Sequence, residues 1–383
     1  MDGIRISDPN GGCQPTPLQE LLLRAALMDG EAAFQAWLQW YGENGMERLD
    51  LGSFRLLPLL YWNLHRQAVQ HPMMGILKGI HRRAWVENRL LSRRLAPALE
   101  TIHGAGIPTL LLKGASLGRL HYADVGLRPM NDLDVLVPED RTMETIRLLE
   151  EHGWQQVTTG NFRMRKSDLS FRHSLGFVNA EGLEIDLHWH ALYLVCFRDA
   201  DRAFWRDSVP MEFEGIPTRT LCPTDQLIHA CAHGLMWSEI PPVRWVADAV
   251  AVMRSSAIDW QRLTSLTDQM RLILPVREGL RYLADSLDIG VPAAAWDGLA
   301  DRKISRSEIL DYQRLQNPLE LQSPVDTFRA VYGRYRRNAG ARFPLARLGE
   351  FVRFMQFHWQ VENTWQVWPA ALRWASLRLR RMA

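Results

Sequence analysis

Residues 110–137, LLLKGASLGRLHYADVGLRPMNDLDVLV, constrain the fold more than any other stretch of this chain. The segment reads as a strand, a Lys113-Gly114-Ala115-Ser116 turn, a short helix and a second strand. Asp132 and Asp134 stand two apart on that second strand, so both project from one face. Leu133, Val135 and Val137 take the other face. Paired carboxylates on a strand with an apolar back make a clamp for a hard divalent cation.

The hydrophobic period changes on both sides of this region. Residues 17–105 carry apolar side chains at helical spacing, in LQELLLRAALM, EAAFQAWLQWY and SFRLLPLLYWNLHRQAV. A long amphipathic helix is predicted over 75–104, with Leu77, Ile80, Trp85, Leu90, Leu91, Leu95, Leu99 and Ile102 as its apolar positions. His103-Gly104-Ala105-Gly106 stops it. From 107 to about 220 the pattern predicts strands at IPTLLLK, VLV, WQQVTT, LSFRHSLGFVN and LEIDLHW, and a hairpin over MEFEGIPTRTL. A helix capped by Asp140 follows the second strand. Beyond Pro223 the helical period returns. The expected class is α+β. A small mixed-sheet core over 106–220 is flanked by an N-terminal helical region (1–105) and a C-terminal one (221–383).

Composition narrows the partners. The 383 residues are 47% hydrophobic and 23% charged, with a formal net charge of +2, as in an ordinary globular protein. No broad basic, aromatic-interleaved surface is evident, so the chain gives no strong nucleic-acid signal. Cys13, Cys196, Cys222 and Cys231 form no CxxC pair and are expected to be reduced, buried thiols. The start of the chain lacks the pattern of a signal peptide, and no run of about 18 apolar residues offers a membrane span. A cytoplasmic protein without a transmembrane segment is expected.

A third carboxylate strengthens the first two. LEIDLHW alternates, with Glu184, Asp186 and His188 on one face and Leu183, Ile185 and Leu187 on the other. If the two strands are neighbours, Asp186 joins Asp132 and Asp134. Three carboxylates on adjoining strands repel one another unless a cation neutralises them. Mg²⁺ (or Mn²⁺) bound to few protein carboxylates and to substrate phosphates suits such a face. Backbone N–H groups at Gly114 and the hydroxyl of Ser116 would meet a phosphate at the start of a helix.

With these residues in view, the chain resembles the DNA polymerase β-like nucleotidyltransferases. More closely, it is similar to the family called uncharacterised nucleotidyltransferase. LLPLLYWNL, LLKGASL, RPMNDLDVLV, LEIDLHWH, CPTDQLIHACAHG and RWVADAVAV…IDW carry the resemblance, over about 50–265. The turn here is Gly-Ala-Ser rather than a direct Gly-Ser pair. The resemblance implies that Gly114 and Ser116 bind the triphosphate and that Asp132 and Asp134 hold metal, with Asp186 completing the triad. It implies transfer of a nucleoside monophosphate from an NTP to an acceptor hydroxyl on a small molecule, a sugar or a peptide natural product. Two alternatives share the fold: a catalytically silent nucleotide-binding or regulatory protein, and an antitoxin-like AMP-transferase acting on protein.

Further residues are secondary candidates. Lys113 and Arg128 suit phosphate neutralisation, although Arg128 has an ion pair with Asp132 or Asp124 as an equal alternative. His188 is a candidate site-wall residue. His229 and His233, four apart on one helix, are either site-wall residues or packing residues. Asp248 is expected to pair with Arg244 one turn earlier. The terminal helix, with Trp368, Leu372, Ala375 and Leu379 on one stripe and Arg373, Arg378, Arg380 and Arg381 around it, is expected to dock on the body, on a partner protein or on an anionic membrane surface.

Overall fold

The structure is a computed structural model and describes residues 12–43, 46–157, 164–316, 332–333, 335, 348–358 and 361–382. Packing divides the chain into two units. One gathers Met1–Leu90, Ser116–Met130 and Cys222–Pro318, and the other Leu91–Ala115, Asn131–Leu221 and Leu319–Ala383. The expected segments 1–105, 106–220 and 221–383 each contribute to both units.

The first unit is helical. Helix α1 (Pro17–Leu27) opens on a capping box, in which the Thr16 hydroxyl accepts from the Gln19 N–H and the Gln19 side chain accepts from the Thr16 N–H. It packs on α2 (Gly30–Gly42) and, beyond the single turn α3 (Leu51–Phe54), on α4 (Leu57–Arg66). The long helix α5 (Met74–Gly104) passes from this unit to the other at Leu90. It matches the span that its apolar spacing predicts. The central helix of the first unit is Pro223–Gly234, packed among Arg244–Ser255, Trp260–Met270 and Ile273–Leu287. Gly234 is required there, because a Cβ would lie 2.0 Å from the Trp245 ring.

The second unit is built on one seven-stranded sheet. Its strands are β1 (Leu110–Leu111), β2 (Asp132–Leu136), β3 (Gln155–Gln156), β4 (Ser174–Val178), β5 (Glu184–His188), β6 (Val209–Phe213) and β7 (Ile216–Thr220). The order is β3-β4-β5-β2-β1-β7-β6, with β2–β5 and β1–β7 parallel and the other pairs antiparallel. The class is therefore α+β with a mixed sheet. Helix α6 (Lys113–Leu120) follows β1, and α7 (Thr142–Glu151) follows β2. Leu133, Val135, Ile185 and Leu187 point to the buried side, as their alternation requires. The β4–β5 turn forms where expected: the Asn179 side chain accepts from the N–H groups of Glu181 and Leu183, and Gly182 takes φ +74°.

Three local expectations are corrected. The apolar run IPTLLLK yields only the two-residue β1, because the chain turns into α6 directly after Leu112. The Lys-Gly-Ala-Ser segment is the first turn of that helix rather than a loop before it. The segment expected to begin the fourth strand instead forms a 3₁₀ helix over Lys166–Phe171. There, Asp168 accepts from the Arg165 N–H and is fully buried against Arg353, with Nε–Oδ1 2.5 Å and Nη2–Oδ2 2.7 Å. Near the end of the chain, helices cover Leu348–His358 and Val367–Met382. Trp368 and Leu372 are exposed. The side chains of Ala375, Arg378, Leu379, Arg380 and Arg381 lie outside the described residues, and with them most of the expected basic stripe. No helix among the described residues is long and apolar enough to cross a membrane.

Candidate active site

The site is set by the register of two parallel strands. Asp134 of β2 pairs with Asp186 of β5, Asp132 with Glu184, and Leu136 with His188. Residues paired across a sheet share a face, so Asp132, Asp134, Glu184, Asp186 and His188 all project from the polar side. Asp186 is thus the neighbour of Asp134, as the alternation of both strands allows. On the outer flank of β5, Gly176 pairs with Asp186 and adds no side chain beside the carboxylate.

Two cations neutralise this carboxylate pair. Lys113 Nζ lies 2.5 Å from Asp134 Oδ1. His188 Nε2 lies 3.1 Å from the same oxygen and 2.9 Å from Asp186 Oδ2. The other ring nitrogen, Nδ1, donates to the His190 carbonyl at 3.3 Å. Carboxylates and a carbonyl only accept, so the ring donates from both nitrogens and is an imidazolium. Burial opposes its charge, but Asp186 and Asp134 outweigh burial and raise its pKa to about 9. Burial likewise opposes ionisation of Asp134, and Lys113 and His188 overcome it, holding the carboxyl well below the usual carboxylate range. Asp186 is depressed for the same reason, by His188 first and then Lys113. Burial pushes the Lys113 ammonium down, while Asp134, Asp186 and Asp132 together lift it above its ordinary value.

The backbone at Lys113 has φ +46°, in the left-handed region that a side chain with a Cβ avoids. A non-glycine residue held there costs about 1 kcal/mol, a cost that clusters at functional sites. The conformation lets the chain leave β1 and enter α6 while keeping the ammonium on Asp134.

Asp132 is half-buried at the head of β2, and its charge acts on Lys113. Gly114 is buried in the first turn of α6. Ser116 is buried in the same turn, 1% exposed. Arg128 is also in the helical unit, and its guanidinium is engaged by Asp248 through Nε–Oδ1 at 2.7 Å and Nη2–Oδ2 at 2.8 Å. It pairs with neither Asp132 nor Asp124 in that bidentate contact, and Asp248 takes Arg128 as its bidentate partner rather than Arg244. Arg244 instead donates to the Pro129 carbonyl at 3.1 Å. Tyr122 completes that cluster by donating to Asp248 Oδ1 at 2.8 Å. His229 and His233 lie in the helical unit with their rings edge-on, centroids 5.7 Å apart, and His229 is buried.

Sequence reasoning missed His173 and Arg172. The His173 ring packs edge-on against His188, centroids 5.3 Å apart, and against Tyr193 at 5.5 Å. Burial and the charge of His188 push His173 far below the ordinary histidine range, so one ring of the pair is charged and the other neutral. Burial also lowers the Arg172 guanidinium to about 10, against the pull of Asp168 and Asp186. The only available signal was position: both residues immediately precede a strand that pairs with β5.

Donor atoms of Asp134, Asp186 and His188 all lie within 4.8 Å of one another, close enough to share one ion. Two carboxylates fit a hard divalent cation. No curated protein matches the chain. A crystal structure of an antigenic nucleotidyltransferase-like protein from Paracoccidioides brasiliensis aligns with 56% of this chain and 94% of its own, at 10% identity and a TM-score of 0.36. The sequence profile of the uncharacterised nucleotidyltransferase family matches residues 53–288, a span that holds β1 to β7 and every carboxylate described above. The chain belongs to the uncharacterised nucleotidyltransferase family.

Proposed function

We propose that this nucleotidyltransferase transfers a nucleoside monophosphate from an NTP to an acceptor hydroxyl, with Asp134 and Asp186 as the central carboxylates. The reading is carried by the register that sets these two acids side by side on parallel strands, with Lys113 on one of them. Asp132, on the same face of β2, is the third acid of the site. A divalent cation, Mg²⁺ or Mn²⁺, would be held by these carboxylates and would supply charge neutralisation to the triphosphate.

The chain's own groups divide the remaining work. The start of α6, at Lys113 and Gly114, suits a phosphate through the partial positive charge of a helix N-terminus. The Lys113 ammonium is placed to trade its contact with Asp134 for the triphosphate as negative charge moves toward pyrophosphate. The acceptor oxygen attacks the α-phosphorus, the bond to the β-phosphate oxygen breaks, and pyrophosphate leaves with the bonding electrons. Asp186, the more open of the central pair, takes the hydroxyl proton. The near-neutral charge balance of the chain favours a small molecule, a sugar or a peptide over a polynucleotide as acceptor.

The test is incubation with each α-labelled NTP, a divalent cation and a panel of acceptors. Label on an acceptor with release of pyrophosphate, lost in Asp132→Ala/Asp134→Ala, is expected. NTP binding with no turnover across the panel would instead favour a catalytically silent nucleotide-binding protein.

A further inference from the structure

We infer that His188 joins the carboxylates as a protein ligand of the ion held by Asp134 and Asp186, and that the site therefore prefers Mn²⁺ to Mg²⁺. The inference rests on the reading that these carboxylates bind a divalent cation. It goes beyond that reading, because a site of carboxylates alone would favour the harder ion.

The geometry is that of a ligand set. Around an octahedral ion with bonds near 2.1 Å, adjacent donor atoms are about 3 Å apart. His188 Nε2 lies 2.9 Å from Asp186 Oδ2 and 3.1 Å from Asp134 Oδ1, so one nitrogen meets both carboxylates at that spacing. In the ion-free site the same spacing holds the imidazolium between both acids, so an ion would take the place of a proton already shared by them.

The support behind the ring has the form found behind metal-bound histidines. Such a histidine gives its remaining N–H to a carbonyl or carboxylate, which fixes the tautomer and aims the other nitrogen at the ion. Here Nδ1 donates to the His190 carbonyl. His190 is itself held, with Nδ1 2.7 Å from Asp201 Oδ2, and the next N–H, of Ala191, donates to Asp201 Oδ1 at 2.9 Å. His188 and His190 are almost completely buried, and the His173 ring closes one side of His188. The side chain is therefore oriented before any ion arrives. On binding, the ion takes the place of the Nε2 proton, which leaves to solvent.

The donor set then sets the preference. Mg²⁺ takes oxygen donors and tolerates little departure from its geometry, whereas imidazole nitrogen suits first-row transition ions. Carboxylates with one imidazole are a mixed set that favours Mn²⁺ over Mg²⁺.

Pulsed EPR on the full chain loaded with Mn²⁺ alone tests this without a turnover measurement. Electron-spin-echo modulation from a directly bonded ¹⁴N is expected in the wild type, and its loss in His188→Asn. The same variant should keep its circular dichroism, and its preference for Mn²⁺ over Mg²⁺ in competitive titration should fall by roughly tenfold or more. Bound Mn²⁺ with no ¹⁴N coupling, or coupling that survives in His188→Asn and disappears in His173→Asn, would overturn the assignment of His188 while leaving the carboxylate site intact. Failure of Mn²⁺ to bind the wild type at all would overturn the carboxylate reading and this inference together.

Discussion

Two buried acid clusters in this protein use similar side chains to opposite ends. In the helical unit, Asp248 receives both arms of Arg128 and the Tyr122 hydroxyl, so its two oxygens are filled by three donors in fixed directions. In the sheet unit, Asp134 and Asp186 stand side by side and share a single imidazole, with Lys113 adding to one of them. The first cluster gives its acid a dedicated bidentate cation, with the Arg244 charge acting on it as well, and closes. The second matches two acids with two cations, one of them an imidazolium that both acids share, and keeps those cations in contacts that a stronger one can replace. A buried acid with a dedicated bidentate partner is built for stability, whereas a pair that shares one imidazole is built to exchange partners.

The comparison predicts a separation of effects. Asp134→Asn should reduce nucleotidyl transfer by on the order of 10³-fold, as for loss of a principal charge-stabilising group. Its urea midpoint should move less than that of Asp248→Ala, because relief of the repulsion with Asp186 offsets part of the lost contacts with Lys113 and His188. Asp248→Ala should do the reverse in stability, costing about 3–5 kcal/mol by leaving Arg128 buried without its partner. Equal destabilisation of the two variants in urea titration would erase the distinction.

Acid should act on the closed cluster in a defined direction. Burial raises the Asp248 carboxyl, but Arg128 outweighs it and holds the folded-state pKa below the ordinary value. A carboxyl depressed in the folded state contributes stability above its unfolded pKa of about 3.9 and loses that contribution as pH falls through the folded value. The stability gap between wild type and Asp248→Asn should therefore be constant near neutrality and narrow below about pH 4, as read from urea midpoints. A gap independent of pH would mean that Asp248 carries no net charge interaction.

The smallest effect concerns the backbone of the exchanging cluster. Lys113→Gly and Lys113→Ala both remove the ammonium, but only glycine adopts φ +46° without steric cost. The glycine variant should be more stable than the alanine variant by about 1 kcal/mol in thermal or urea unfolding. Identical stabilities would show that Lys113 is not held against a steric preference.

Sequence periodicity and turn chemistry were sufficient for several local features. Helix α5 ends at its glycine-containing stop, the Asn179 turn forms, and both acidic strands present the faces that alternation assigns. What escaped was chosen by partners distant in the chain. Asp248 selects Arg128 from 120 residues away over Arg244 on its own helix. The 3₁₀ helix at Lys166–Phe171 replaces strand because Asp168 is drawn to Arg353, 185 residues on. His188 was legible as a neighbour of Asp186, but its bond to both acids depends on the parallel pairing of β2 with β5, which no local pattern specifies. The same holds for His173, whose ring meets His188 only once β4 lies beside β5.

The parallel register of β2 and β5 also dictates which length changes the chain can accept. Lengthening the connections between the strands leaves Asp134 opposite Asp186. Adding one residue within β5, ahead of Ile185, would exchange the faces of everything beyond it. Ile185 and Leu187 would turn toward the acids, and Asp186 and His188 toward the apolar layer. Insertions in the loops are therefore matters of degree, while a one-residue insertion in this strand is all-or-none, removing two site groups and burying two charges at once.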